Sequence, residues 1–309
     1  MTGCAYATWL ERKLLGRIQH RMGPTYVGPF GLFQPIADGL KVIFKEDVVP
    51  SQAEKTIMLV APIIAFVPGL LAFAVIPIGE PIDIFGYTVP LTISDLNIGI
   101  LFILATTSLG VYGIALGGWS SGSKYSLLGG IRSSAQMISY EVAYGLTIIP
   151  VLMLSGTLSL TEIVNQQAGV FDWFFWKNPV AALLFWICAV AETNRSPFDM
   201  PEAEAELVAG YHTEYSSMRF SMFFIGEYGN MLTASAVMAT LFFGGWNGPF
   251  IAGPWWLVIK VIFFMAFYIW MRATFPRLRY DQLMDLGWKV LFPIALLNVI
   301  VTGLIMYLI

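Results

Sequence analysis

Apolar residues run along this chain in long stretches broken by short polar or Gly/Pro-rich segments, with little of the period-two alternation of a half-buried strand. The stretches fall at 1–18, 56–78, 98–118, 134–155, 174–192, 217–243, 255–274 and 288–309. A helix needs about 20 largely apolar residues to cross a bilayer. The pattern therefore predicts an all-α fold: a polytopic membrane protein of about eight transmembrane helices, forming one integral membrane domain over residues 1–309. Gly113 and Gly117 in the third stretch make a small-xxx-small face suited to close helix packing. One segment is patterned differently. In QPIADGLKVIFK, Gln34, Asp38, Lys41 and Lys45 fall on one helical face and Ile36, Leu40, Ile43 and Phe44 on the other, which predicts an amphipathic helix in the membrane interface. Before it, RMGPTYVGPFG carries Gly and Pro so closely that a rigid, non-helical turn is expected.

The first stretch is unusual. Ten residues precede Glu11, about 15 Å of helix against a hydrocarbon core of roughly 30 Å. The expectation is a missing N-terminal segment; the alternative is a span that continues to Ile18 and carries Glu11 and Arg12 at depth. The start has no basic residues ahead of an apolar run, so it does not read as a cleaved signal peptide.

Composition narrows the class. The chain is 57% hydrophobic, 15% aromatic and 12% charged, with a mean hydropathy of +0.70. A soluble domain carries about 25% charged residues, so a soluble enzyme and a disordered protein are both excluded. A net charge of −3 gives no reason to expect a nucleic-acid partner. The basic residues are sorted by loop. Arg12, Lys13, Arg17, Arg21, Lys41, Lys45 and Lys55 lie at the first connection, Lys124 and Arg132 at the third, Arg195 and Arg219 at the fifth, and Arg272, Arg277, Arg279 and Lys289 at the seventh. The second and sixth connections have none and the fourth only Lys177; Lys260 stands alone inside the seventh span. The positive-inside rule puts the odd loops, about 19–55, 119–133, 193–216 and 275–287, in the cytoplasm and both termini on the opposite side of a cell inner membrane.

Two cysteines, Cys4 and Cys188, cannot supply the four thiolates an iron–sulfur cluster usually takes, and His20 and His212 fit no metal or haem spacing. No dinucleotide or phosphate loop is present. No cofactor is expected on this chain; if it serves electron transfer, a partner holds the electrons.

The carboxylates carry the chemical signal. Glu141 and Glu227 lie inside the fourth and sixth spans, each about 10 Å below the cytoplasmic boundary, with Glu192 closing the fifth span and Glu11 near the end of the first. An acid at such a depth costs about 2.5–3.5 kcal/mol and marks ion or proton pathways. A structural pairing with Arg132, Arg219 or Arg272 is the plainer alternative. Four acids at one depth on four helices favour a chain of proton sites. The loop ETNRSPFDMPEAEAELVAGYHTEYSS sets Glu192, Asp199, Glu202, Glu204, Glu206 and Glu214 against Arg195 alone. Asp199-x-x-Glu202 with Pro201 reads as a helix start, and a short helix to Gly210 would put Glu202 and Glu206 on one face, with Glu204 elsewhere. Such a loop is either a solvated acidic surface or a place that binds a basic partner or loads protons. In RATFPRLRYDQLMDLGWK, Asp281 and Asp285 share a face and can pair with the neighbouring bases.

Five motifs together resemble one family: ERKLLGRIQHRMGP at 11–24, GLFQPIADGLKVIFKED at 31–47, SYE at 139–141, ETNRSPFDMPEAEAELVAGYHTEYSSMRF at 192–220 and RATFPRLRYDQLM at 272–284. The chain is similar to the H-subunit family of bacterial NADH–quinone oxidoreductase, respiratory complex I, whose mitochondrial counterpart is NADH dehydrogenase subunit 1. The resemblance implies an eight-helix subunit at the junction of membrane and peripheral arms. It implies a quinone substrate in a tunnel, and iron–sulfur clusters and flavin held by partner subunits. It implies as partners peripheral iron–sulfur and quinone-site subunits, small membrane subunits and antiporter-like subunits in the lipid bilayer. Carried over by motif, Glu11, Glu141, Glu192, Glu202, Glu204, Glu206, Glu214 and Glu227 match the proton-relay acids. Arg12, Arg21, Asp38, Lys41, Arg195, Phe198, Asp199, Arg272 and Arg279 match the quinone path. At 23–29 this chain reads GPTYVGP where many family members read GPNRVGP, so one basic residue at the tunnel mouth is absent. Three rivals stand beside this reading: the equivalent anchor of a membrane-bound hydrogenase, a free-standing secondary transporter, and a purely structural anchor. No inverted repeat or pair of broken helices supports the second, and buried acids at matched depth argue against the third.

Overall fold

A computed structural model describes residues 2–84, 87–200, 208–250 and 252–308. The chain is overwhelmingly helical. Helix α1 is Thr2–Ile18 and α2 is Gln34–Ile43. Between them the Gly/Pro stretch has one 3-10 turn at Pro29–Gly31 and is otherwise non-helical, as its composition predicts. Helix α3 is Lys55–Phe73, and a two-stranded antiparallel hairpin, β1 Ile82–Ile84 with β2 Tyr87–Val89, follows it. Next come α4, Gly99–Ser120, and α5, Lys124–Ser155. Short helices α6, Leu160–Asn165, and α7, Phe174–Lys177, lead to α8, Pro179–Glu192. Helix α9 is Ser217–Phe242, α10 Pro254–Thr274 and α11 Tyr280–Asp285. A π-helical turn at Leu286–Leu291 joins α11 to α12, Phe292–Leu308.

Among the described residues, five helical runs are long and apolar enough to cross a membrane: Lys55–Phe73, Gly99–Ser120, Lys124–Ser155, Pro254–Thr274 and Tyr280–Leu308. The other three expected spans differ for separate reasons. Helix α1 has 17 residues and continues to Ile18 with Glu11 buried in it. The expected span 174–192 is divided, because Pro179 has no N–H to continue α7 and instead opens α8 at its first position, where the Asn178 side chain accepts from the Ala181 N–H at 3.0 Å. Helix α9 is long enough, at 26 residues, but carries Arg219, Glu227 and Asn230. The third connection is also shorter than expected. Helix α5 begins at Lys124, so most of 119–133 is helical. Small residues explain this: Gly129 packs on the Gly210 backbone and Gly130 on Gly118, so a segment that reads as a charged loop buries a face.

Helices α3 and α4 share the most extensive interface; α5 packs on α4, α8 and α12, and α9 on α3, α10 and α1. The core holds Tyr140, Phe185, Cys188, Phe242 and Tyr268. Large apolar side chains such as Leu101, Ile138, Leu183, Phe263, Leu297 and Leu304 point outward, as lipid-facing surfaces require. The amphipathic helix α2 likewise exposes Ile36, Leu40, Ile43 and Phe44.

Lys260, the lone base of the seventh span, closes a polar knot at the far end of α9. Its Nζ donates to the carbonyls of Phe243, Gly245 and Asn247 at 2.5, 2.8 and 2.6 Å. It also sits 4.8 Å from the centroid of the Trp173 ring. Gln167 and Asn247 bind neighbouring carbonyls there. A cation at carbonyls left over from a helix C-terminus is favourable. Lys260→Met strips several carbonyls of their donor at once and is expected to lower the temperature at which the detergent-solubilised protein loses its fold. Thermal-shift measurement checks this, with Lys260→Arg retaining most of the stability.

Candidate functional site

The expected acids and bases converge in two places. In the first, α1, α9, α10 and the turn after α8 meet on a buried charged cluster. Glu11 and Arg195 are 4% and 7% exposed. Arg195 lies between two carboxylates: Nη1 is 3.2 Å from Glu11 Oε1 and Nε is 2.5 Å from Glu227 Oε1. Arg272, from α10, is ion-paired with Glu11 on its other side. The Tyr228 hydroxyl donates to Glu11 Oε2 at 2.6 Å, and the Arg195 guanidinium lies 4.5 Å from the Tyr228 ring centroid. Two carboxylates and two guanidiniums balance, with Glu11 and Arg195 buried and Arg272 reaching in from a partly exposed position, and such pairing is the condition for keeping charges in a buried site. The pairing with Arg272 weighed from sequence is therefore real for Glu11. Arg219, by contrast, pairs with Asp47 at 2.9 Å.

The second place lies between α4, α5 and α8. Ser108 of α4 donates to Glu141 of α5. Glu192 ends α8 and lines two small cavities, of about 30 and 20 Å³. The larger also reaches Glu227, so Glu192 and the charged cluster adjoin one space.

On the side of the amphipathic helix, Arg12, Asp38, Lys41, Lys45, Tyr215, Ser216 and Phe220 line a crevice of about 340 Å³ between α1, α2 and the start of α9. Arg12 and Asp38 pair across it at 2.6 Å, and Gln34 donates to Asp38 at 2.9 Å. The end of α2 and the segment after it are held down by Ser217 Oγ, which donates to the Val42 carbonyl at 3.0 Å, and by Ser216 Oγ, which accepts from the Val48 N–H at 2.8 Å.

The remaining predicted residues are dispersed. Phe198 is in the core, 5.8 Å from the Tyr140 ring, and its carbonyl accepts from Gln136 at 2.8 Å. The Asp199 carbonyl accepts from Arg277. Arg21 is exposed and donates to Gln19 at 2.7 Å. Arg279 is exposed in a two-pronged pair with Asp281, both at 2.6 Å, and Lys289 pairs with Asp285 at 2.8 Å. Glu214 lies in the turn before α9. Glu202, Glu204, Glu206 and the short helix expected around them lie outside the described residues. His212 is buried in the 3-10 turn Gly210–His212 against the Phe220 and Phe224 rings; burial pushes it down to about 4, with Asp199 pulling the other way. It is neutral at physiological pH. Among the described residues no group of three or more His, Cys, Asp and Glu is arranged to hold a metal ion.

Sequence reading missed Tyr228, Ser108 and Asn230. A weak signal existed for two of them: Tyr228 follows Glu227 directly, and Asn230 lies three residues on, one helical turn along the same face. Ser108 had none, since a span serine more often bonds its own helix, as it also does here to the Leu104 carbonyl at 2.8 Å.

A family model described as NADH dehydrogenase matches residues 1–303. The relatives include the first of the NADH-quinone oxidoreductase H subunits of Geobacter sulfurreducens, 58% identical over 97% of this chain and 90% of its own length. The H subunit of Thermomicrobium roseum is 54% identical, over 97% of this chain and 91% of its own length. The H subunit of Protochlamydia amoebophila is 52% identical, over 98% and 92%. With the match spanning the whole membrane-embedded fold and the acids described above, the chain belongs to the NADH dehydrogenase family, alongside the H subunits of NADH-quinone oxidoreductase.

Proposed function

We propose that this chain is the membrane subunit that receives quinone in a proton-pumping NADH–quinone oxidoreductase and links quinone reduction to a relay of carboxylates. It works among peripheral iron–sulfur and quinone-site subunits, small membrane subunits and antiporter-like subunits. It crosses the membrane eight times: α1, α8 with α7, and α9 complete the set begun by the five apolar runs. The odd loops face the cytoplasm and both termini the opposite side, a reading that the Lys/Arg asymmetry supports.

Quinone enters from the bilayer through the crevice between α1 and α2, where Arg12, Lys41 and Lys45 stand beside Val42, Tyr215 and Phe220. Iron–sulfur clusters in a partner subunit would supply the two electrons one at a time, and two protons would complete the quinol. The negative charge that appears before protonation acts on the acids of 199–214 and on Arg195. Arg195 is shared by Glu11 and Glu227, so any weakening of one pair frees it for the other. A proton displaced in this way moves along Glu227, Glu192 and Glu141 toward the antiporter-like subunits. The observation that carries the reading is the buried Glu11–Arg195–Glu227 bridge beside a cavity that reaches Glu192. Four ionisable groups held in a membrane interior are a functional arrangement by default.

Glu227→Gln and Glu141→Gln, each in the assembled complex, test it. Both are expected to cut proton translocation severalfold while NADH oxidation by a soluble acceptor continues. Unchanged translocation in either variant removes that residue from the relay.

A further inference from the structure

We infer that Asn230 and Asn194 position water between Glu227 and Glu192, so that a proton crosses from one carboxylate to the other over water rather than by direct contact. This deepens the relay reading and rests on it. The two cavities at Glu192 share few walls: Met137, Glu192, Thr193 and Asn230 line both. Glu227 and Asn194 line the larger, Thr107 and Thr233 the smaller. A water needs roughly 10–15 Å³ of such space and two to four polar partners. Cavities of about 30 and 20 Å³ meet the first condition.

The side chains meet the second. Glu192 Oε2 and Asn194 Oδ1 are buried with no hydrogen-bond partner among the described residues. Leaving a buried polar atom unbonded costs about 1–3 kcal/mol, so both belong at a polar solvent site. Asn194 is held for this purpose: its φ is +52°, a left-handed conformation that asparagine tolerates, and its Nδ2 donates to Ser133 Oγ at 3.2 Å. Asn230 is given room by Gly69 of α3, where a Cβ would stand 2.8 Å from Asn230 Oδ1. An amide both donates and accepts, yet it neither gains nor loses a proton near neutral pH. It can therefore orient water on each side without trapping the proton it guides, as a lysine would. The hop balances once Arg195 has shifted to Glu11 and Glu227, no longer paired to it, has taken up a proton from the quinone side: Glu227 gives that proton to the water, which gives one of its own to the Glu192 carboxylate and is restored.

Asn230→Leu is close to isosteric and removes the amide; Asn230→Ser keeps a hydroxyl and leaves room for water. Both are placed in the complete complex in inverted membrane vesicles. Proton translocation is measured per unit of NADH oxidation by ferricyanide, which counts assembled enzyme. The expected result is about a tenfold loss for the leucine variant, the scale of one hydrogen-bonded link, with most of the rate returned by serine. Full activity in the leucine variant overturns the inference. So does a serine variant as impaired as leucine, which makes Asn230 a packing residue. Should leucine prevent assembly, Asn230→Ala carries the same test, because it adds no bulk: a wild-type rate overturns the water link and a partial loss upholds it. Glu227→Gln and Glu192→Gln are run alongside. If both still pump, the relay itself falls; if they fail and Asn230→Leu does not, only the water link falls.

Discussion

Arg195→Met is expected to abolish accumulation of the assembled subunit, the largest single-residue loss in the membrane interior. Arg195 is the only bridge between Glu11 and Glu227 among the described ion pairs. Methionine of similar length occupies much of its volume but removes the guanidinium that the two carboxylates share. Arg272 stays with Glu11, so the ion pair lost outright is the one between Arg195 and Glu227. Breaking a buried ion pair by removing one partner costs about 3–5 kcal/mol, a large share of the roughly 5–15 kcal/mol that holds a typical domain together. Charge balance also predicts the repair. Arg195→Met with Glu227→Gln restores neutrality, and replacing both members of a buried pair is often neutral for stability. The double variant is expected to return the subunit to the membrane, measured as assembled complex on a native gel, but to leave quinone-linked proton translocation absent. Wild-type accumulation of the single variant would show that Glu227 finds another cation and that the bridge is not what holds α1, α9 and the turn after α8 together.

The bridge also marks the limit of what the residues alone could tell. Hydropathy read the helices well because each long apolar run must satisfy its backbone internally, which leaves only helix in a bilayer. It failed at Asn178–Pro179, where a local break divides an apolar run without changing its composition. It failed again at Lys124, where small residues let a charged stretch join α5. That Glu11, Glu141 and Glu227 fall within helices was legible from counting residues. Their partners were not, because Glu11 and Arg195 are 184 positions apart and no local pattern encodes which base meets which acid. Arg132, Arg219 and Arg272 were equal candidates from sequence, yet Arg219 goes to Asp47, and Arg195, read as the lone base of an acidic loop, is buried against Glu11 and Glu227. Of Arg12, Arg21 and Arg279, which the family motifs group together, only Arg12 lines the crevice beside α2; Arg21 pairs with Gln19 and Arg279 with Asp281.

Gly113→Ala is expected to prevent α3 and α4 from closing, although it adds a single methyl group. A Cβ at Gly113 would overlap the Ala65 amide nitrogen and stand 2.7 Å from the Ala65 Cα, so the obstacle is backbone and no rotamer change relieves it. The helices must part by the order of an ångström along the most extensive interface in the fold. In a membrane that interface has no hydrophobic drive to re-form, since lipid tails solvate the separated faces as well as the helices solvate each other. Close packing is what holds it, and dispersion contacts fade steeply with a gap of that size. Displacement of α3 also carries Gly69 away from Asn230 and disturbs the wall of the cavity at Glu192 and Glu227, so loss of proton translocation accompanies loss of stability. Gly145→Ala is the matched control. It lies in α5 with no atom within 4 Å of its Cβ position, and alanine is the better helix former by about 1 kcal/mol. Thermal unfolding of the purified complex is expected to fall sharply for Gly113→Ala and to hold or rise slightly for Gly145→Ala. Equal behaviour of the two variants would mean that α3 and α4 yield to each other, and that the small face read in the third span is a coincidence of sequence.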